Sequence, residues 1–306
     1  MDRGRAQARF LAAAGLLLLG GAAAPSQLPI REARWLKSPD IVADLTTEPP
    51  ECLAWPKDRA GRHSVAVGRA LFRSPLLLGG QAARAGLSCA SCHRNGRSNP
   101  HFHFPGISGD PGTADVTASI MSEHRGDGIF NPKPIPDLGG DPARLKVKGT
   151  AKLPTFVHGL ITQEFDGPEP SPAALAAVAA YVEALTPAAC AKSNGPLSLS
   201  SRLGDVDSAV ALARQAYLAG DPVTGRALLA AARSTLGAID ERYQVAGADR
   251  SRDDLRAADA ILFSLQQAGQ GGPWPAWARD WPRHKRALRA AEARSLYNPA
   301  VLLRAL

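Results

Sequence analysis

Two cysteines and a histidine lie together in a C-x-x-C-H motif, at Cys89, Cys92 and His93. A structural zinc site needs about four ligands, usually from a second cysteine or histidine pair, and the sequence has no second C-x-x-C. A thioredoxin-type dithiol belongs at a strand-to-helix junction, whereas the residues before Cys89 are typical of a helix and a glycine loop. Covalent haem attachment uses all three residues, because both sulfurs bind the porphyrin and the imidazole binds iron. The motif therefore predicts one covalently attached haem c, with zinc and dithiol chemistry as alternatives.

Two helices are expected to position this motif. Between residues 64 and 74, apolar residues recur at helical spacing, with Val65 and Phe72 on the same face. Between residues 171 and 185, Ser171 is a typical N-cap, Pro172 suits the first helical position, and an apolar stripe follows. The residues between the motif and the second helix are rich in Gly, Pro, Asp and Asn, which indicates long loops.

Two segments of the chain resemble a known family. "VGRALFRSPLL" followed by "LSCASCH", and later "KLPTFVHGLITQEFDG", are similar to the haem domain of the bacterial cytochrome c peroxidase and methylamine-utilisation haem proteins. The resemblance covers less than half of the chain. It implies a cytochrome c-like domain, in which a helix before the motif crosses a helix at the end of the unit, and it implies a peroxide-reducing activity.

The sequence departs from that family in the number of haem motifs. Family members carry two C-x-x-C-H motifs, one in each haem domain, and pass electrons between the two haems, whereas this chain has one motif. That relay cannot run within one such chain. Electron transfer is therefore the first hypothesis for its function. A haem peroxidase-like oxidoreductase is the alternative, and a redox sensor or assembly subunit is a third, so the sequence leaves open whether the protein is an enzyme.

The ligand on the second face of the iron would separate these hypotheses. A methionine there favours electron transfer, and an open position favours catalysis. Met121 is the only thioether apart from Met1, which makes His93 and Met121 the predicted iron ligands. His124, three residues beyond Met121, and His158, in the family-like segment, are the other candidates, and an open site is a further alternative.

The N-terminus has the features of a secretory signal peptide. Residues 1–24 combine arginines, a short apolar run and an A-x-A arrangement at Ala22 and Ala24. Cleavage near Ala24 predicts a periplasmic or secreted protein, and an uncleaved membrane anchor is the alternative. In an oxidising compartment Cys52 and Cys190 are expected to form a disulfide, with two free buried thiols as the alternative.

The C-terminal third differs in composition. Residues 191–306 contain four amphipathic segments separated by glycines and prolines, which predicts an antiparallel helical bundle. The fold class is therefore mainly α: a signal peptide (1–24), an N-terminal extension (25–59), a cytochrome c-like haem domain with long loops (60–190) and the bundle (191–306). The last helix is basic and the chain has a net charge of +8. These charges suit an acidic redox partner or peripheral contact with a membrane, whereas nucleic acid is no partner for an exported haem protein.

Overall fold

We analysed a computed structural model that describes residues 28–117, 120–141, 145 and 147–306. The signal peptide predicted for residues 1–24 lies outside the described residues. The helices are α1 (Ile41–Thr46), α2 (Arg59–Phe72), α3 (Pro75–Leu78), α4 (Gly80–Ala85), α5 (Cys89–Cys92), α6 (Leu153–Gly159), α7 (Pro172–Ala184), α8 (Leu199–Leu218), α9 (Pro222–Arg242), α10 (Asp249–Ala268), α11 (Trp274–Ala291) and α12 (Pro299–Ala305).

Single 3₁₀ turns lie at Arg31–Trp35, Pro187–Ala189, Gly269–Gly271 and Glu292–Arg294, and a π-helical turn extends α6 over Leu160–Glu164. Three antiparallel ladders, each with two residues per strand, pair β1 (Thr47–Glu48) with β6 (Gly195–Pro196), β2 (His93–Arg94) with β3 (Arg97–Ser98) and β4 (Thr113–Ala114) with β5 (Lys133–Pro134). The prediction of a mainly α protein is confirmed. The described residues between His93 and α6 form turns, irregular loops and the β2–β3 and β4–β5 ladders, as the composition of this segment indicates.

The two helices predicted around the motif, α2 and α7, pack directly against each other. The hydroxyl of Ser171 accepts a hydrogen bond from the N–H of Ala174 at 3.1 Å, so the predicted N-cap is confirmed. Gly68 lies at the closest approach of the two helices, where an added Cβ would be 1.9 Å from the Ala177 carbonyl oxygen. Only glycine allows the helices to pack this closely, and their contact forms one wall of the core around the motif.

Helices α8 to α11 lie in the region predicted to form the bundle, and each packs against the next in chain order. Asp221 caps α9 by accepting a hydrogen bond from the N–H of Thr224 at 2.9 Å. The rings of Trp277 and Trp281 stack with centroids 4.8 Å apart, and the indole N–H of Trp281 donates to Asp207 at 2.6 Å. This hydrogen bond fastens α11 to α8.

Residues of the N-terminal extension pack against the C-terminal region of the chain. Leu45 in α1 is fully buried in a small hydrophobic cluster with residues of the C-terminal end, including Leu296 and Leu302. The buried guanidinium of Arg242 donates to the Leu45 carbonyl at 2.8 Å and to the Leu296 carbonyl at 3.1 Å. The first and last described segments are thus joined through one side chain of α9.

A second set of contacts connects the bundle to the region of the C-x-x-C-H motif. Arg69 and Arg73 in α2 form ion pairs with Asp205 in α8 at 2.6 and 2.8 Å, and both also contact Glu51. The predicted disulfide between Cys52 and Cys190 is present. No helix in the described part of the chain is long and apolar enough to cross a bilayer.

Candidate haem attachment site

The helical turn α5 holds the two motif cysteines on one side of the chain. Ser88 precedes the turn, and its backbone N–H donates to the Ser91 hydroxyl at 3.0 Å, which fixes the start of the helix. Residues three apart on an α-helix lie on the same face, so Cys89 and Cys92 present their sulfurs together. Both are free thiols, whereas Cys52 and Cys190 form a disulfide. The pair is therefore available to form two thioether bonds.

The two thiols are protonated at neutral pH. Burial raises the pKa of Cys89 to about 12, and burial together with the neighbouring Cys89 raises the pKa of Cys92 to about 12. A reactive dithiol of the thioredoxin type has a lowered pKa instead. In the part of the chain that the structure describes, no group of three or more His, Cys, Asp or Glu residues is arranged to hold a metal ion. The two thiols therefore differ in pKa from a reactive dithiol of the thioredoxin type.

The imidazole of His93 has a defined tautomer. Its Nδ1 lies 3.0 Å from the carbonyl oxygen of Pro136. A carbonyl only accepts hydrogen bonds, so Nδ1 carries the proton and Nε2 keeps a free lone pair. Burial lowers the pKa of His93 to about 4, so the ring is neutral at physiological pH. A neutral histidine whose second nitrogen donates to a carbonyl is the usual form of a metal ligand.

Aromatic rings pack beside this histidine. The Phe72 ring from α2 lies 6.4 Å from the imidazole and 5.1 Å from the ring of Tyr181 in α7, measured between centroids. Tyr181 is fully buried and its hydroxyl donates to Glu51 at 2.8 Å. The crossing of α2 and α7 therefore places an apolar wall next to His93.

The three candidates for the second iron ligand lie in different environments. Met121 is 2% exposed and belongs to the hydrophobic core against which Cys89 and Cys92 pack. His124 is largely exposed and its Nδ1 contacts Asp166 at 2.8 Å. His158 in α6 directs Nε2 to Glu169 at 2.9 Å. The structure places both histidines at surface carboxylates and Met121 in the core.

The contact of His93 with Pro136 is the feature that sequence reasoning missed. Pro136 lies in the segment "PIPDLGGDP", 43 residues beyond His93, whose composition indicates a turn and nothing about its partner. Because the acceptor is a backbone carbonyl, no side chain in the sequence marks it.

Comparisons of the chain with protein-family models, with curated proteins and with solved structures find no match. The interpretation of the site therefore rests on the residues and geometry of this chain.

Proposed function

We propose that the protein is an exported monohaem c-type cytochrome that transfers electrons. The observation that carries this proposal is the state of His93: its Nδ1–H is engaged by the Pro136 carbonyl at 3.0 Å, and the residue directly follows the helical turn that carries two free thiols. The crossing of α2 and α7 next to this histidine supports a cytochrome c-like arrangement of the surrounding domain. The Cys52–Cys190 disulfide suits an oxidising compartment and so supports export to the periplasm or medium.

The donor set fits a covalently bound haem. Cys89 and Cys92 would hold the porphyrin through two thioether bonds, and Nε2 of His93 would bind the iron. When bound, the haem supplies a one-electron couple between ferric and ferrous iron. The protein fixes the imidazole orientation through Pro136 and packs the apolar ring of Phe72 beside it.

Met121 is the residue we propose as second iron ligand. It is a buried thioether, whereas His124 and His158 already pair with carboxylates. Methionine and histidine together are the ligands of electron-transferring cytochromes c, and they raise the reduction potential. This ligand pair favours electron transfer over chemistry at an open iron site.

The attachment is tested by producing the chain in a bacterial host that carries the haem c attachment machinery. The purified protein should be red and heavier than its polypeptide by one haem, with the extra mass lost in the double variant Cys89→Ala/Cys92→Ala. The double variant Cys52→Ser/Cys190→Ser serves as the matched control, because it removes two cysteines and leaves the motif intact. A colourless wild-type protein at its polypeptide mass would overturn the proposal.

The optical spectrum tests the electron-transfer assignment. The ferric protein should be low-spin and should show the charge-transfer band of methionine-ligated haem c. A high-spin ferric spectrum that changes on addition of peroxide would instead support the peroxide-reducing alternative.

A further inference from the structure

We propose that the Arg97–Asp137 ion pair is a positioning device for His93. It keeps the Pro136 carbonyl against the imidazole and thereby lowers the reduction potential of the bound haem. The inference rests on the proposed function, because it concerns the ligand of that haem, and it adds residues that lie outside the C-x-x-C-H motif.

The ion pair connects the two segments that meet at His93. Arg97 lies on β3, in the hairpin whose other strand begins with His93, and Asp137 directly follows Pro136. Nε of Arg97 lies 2.8 Å from both carboxylate oxygens of Asp137, and Nη2 lies 2.7 Å from Oδ2. Such charge-assisted bidentate pairs fix orientation as well as distance. The guanidinium thus ties the loop that supplies the carbonyl to the hairpin that supplies the histidine.

The backbone around the ion pair reinforces the same connection. The N–H of Gly139 lies 3.0 Å from Oδ1 of Asp137 and 3.2 Å from the carbonyl oxygen of Gly96, which belongs to the β2–β3 turn. The loop and the hairpin are therefore joined at the ion pair, at this glycine and at the His93–Pro136 hydrogen bond. The ion pair is the one of these three links that joins two side chains, and its loss leaves the two hydrogen bonds alone to hold the loop.

The Cys52–Cys190 disulfide contacts the arginine of the ion pair. Nη1 of Arg97 lies 3.2 Å from Sγ of Cys52 and 3.5 Å from Sγ of Cys190. A Cβ added to Gly139 would lie 3.1 Å from Cβ of Cys52, so the loop also packs against the disulfide. Cys52 is fully buried. The guanidinium is consequently held between the disulfide and the carboxylate, with little freedom to move.

The position of the Pro136 carbonyl affects the reduction potential of the haem because it changes the basicity of the His93 ring. A histidine that donates Nδ1–H to an acceptor has a more electron-rich ring, which stabilises the ferric form more than the ferrous form. If the Pro136 carbonyl moves away, the ring becomes less basic and the potential rises. The charge of Asp137 acts on the iron as well, so the experiment must separate position from charge.

The double variant Arg97→Gln/Asp137→Asn makes this separation, because it removes one positive and one negative charge and leaves the net charge unchanged. The control Arg233→Gln/Asp259→Asn removes a comparable ion pair, 2.7 Å long, between α9 and α10 of the bundle. Each variant is prepared as the haem-loaded full-length protein. The midpoint potential is measured by spectroelectrochemistry, and the solvent exchange rate of the His93 Nδ1–H is measured by NMR.

In the site variant we expect a higher midpoint potential and about tenfold faster exchange, the ratio that corresponds to loss of an ordinary hydrogen bond. Both quantities should stay at their wild-type values in the bundle control. Unchanged potential and exchange in a site variant that carries haem would overturn the positioning role, and the proposed function would stand. A wild-type chain without haem would overturn the proposed function itself.

A second variant tests the proposal if Arg97→Gln/Asp137→Asn does not acquire haem. Gly139→Ala adds a methyl group against Cys52 and the Arg97 side chain, each 3.1 Å from the new carbon, and changes no charge. It should displace the loop and raise both the potential and the exchange rate. Wild-type values in this variant would count against the proposal.

Discussion

The contact between α2 and α7 at Gly68 provides the sharpest test of the structure. In Gly68→Ala the new methyl carbon would lie 1.9 Å from the carbonyl oxygen and 2.5 Å from the carbonyl carbon of Ala177, and 2.9 Å from Cβ of Tyr181. The nearest atoms belong to the backbone, so no side-chain rotation relieves the clash. An ordinary contact needs 3.4 Å, so the helices must separate by about 1.5 Å.

The expected change in stability combines two opposing effects. Replacing a helical glycine by alanine normally stabilises by about 1 kcal/mol. Overpacking against a rigid neighbour costs about 1–3 kcal/mol, and contact with backbone places Gly68→Ala at the upper end. We expect a net loss of about 2 kcal/mol, which lowers Tm by roughly 4 °C in a chain of this size. Thermal unfolding followed by circular dichroism measures it.

Gly237→Ala is the matched control. Gly237 lies within α9, and an added Cβ would meet no atom within 4 Å. In this variant only helix propensity changes, so the free energy of unfolding should rise by about 1 kcal/mol and Tm by roughly 2 °C. A Gly68→Ala protein as stable as Gly237→Ala would refute the close crossing of α2 and α7 on which the site depends.

Further predictions concern the core, the bundle and the second iron ligand. Burial raises the pKa of Glu164, whose Oε2 is buried with no hydrogen-bond partner. The folded state therefore binds a proton at Glu164 more tightly than the unfolded state does. Once the pH rises above the pKa of Glu164 in the unfolded state, ionisation of this carboxyl lowers the stability of the folded state. Glu164→Gln should therefore raise the urea midpoint at pH 7 more than at pH 4. Trp281→Phe removes the hydrogen bond to Asp207 and should cost about 1–2 kcal/mol by urea unfolding, and an unchanged midpoint would contradict the role of that bond. Met121→Ala should abolish the methionine charge-transfer band of the ferric protein, whereas His158→Ala should retain it. Retention of the band in Met121→Ala would exclude Met121 as ligand.

Sequence reasoning predicted the helices well because their signals are local. The cap formed by Ser171, the proline at position 172 and the apolar stripes of α2 and α7 each act within a few residues. The Cys52–Cys190 disulfide was also predicted, from the inferred compartment and the absence of other partners for two distant cysteines. These features need no knowledge of how distant segments meet.

The surroundings of the motif could not be predicted in the same way. The acceptor for His93 is a backbone carbonyl, and Arg97 contacts Asp137, which lies 40 residues further along the chain. Arginine and aspartate pairs of this kind are common at surfaces, so their types and spacing do not mark them as neighbours of a histidine ligand. The environments of Met121, His124 and His158 also depend on the path of that loop, which turn residues alone do not determine.

The junction at Arg242 has a consequence for the order of events in biosynthesis. The segment that leaves the ribosome early, around Leu45, acquires its C-terminal partners only when Leu296 has been made. Arg69 and Arg73 likewise gain Asp205 as a second carboxylate only when α8 has been made. A polypeptide interrupted before the bundle would leave these two arginines to share Glu51 and Leu45 without the cover of Leu296 and Leu302, so folding is complete only once the whole chain has been synthesised.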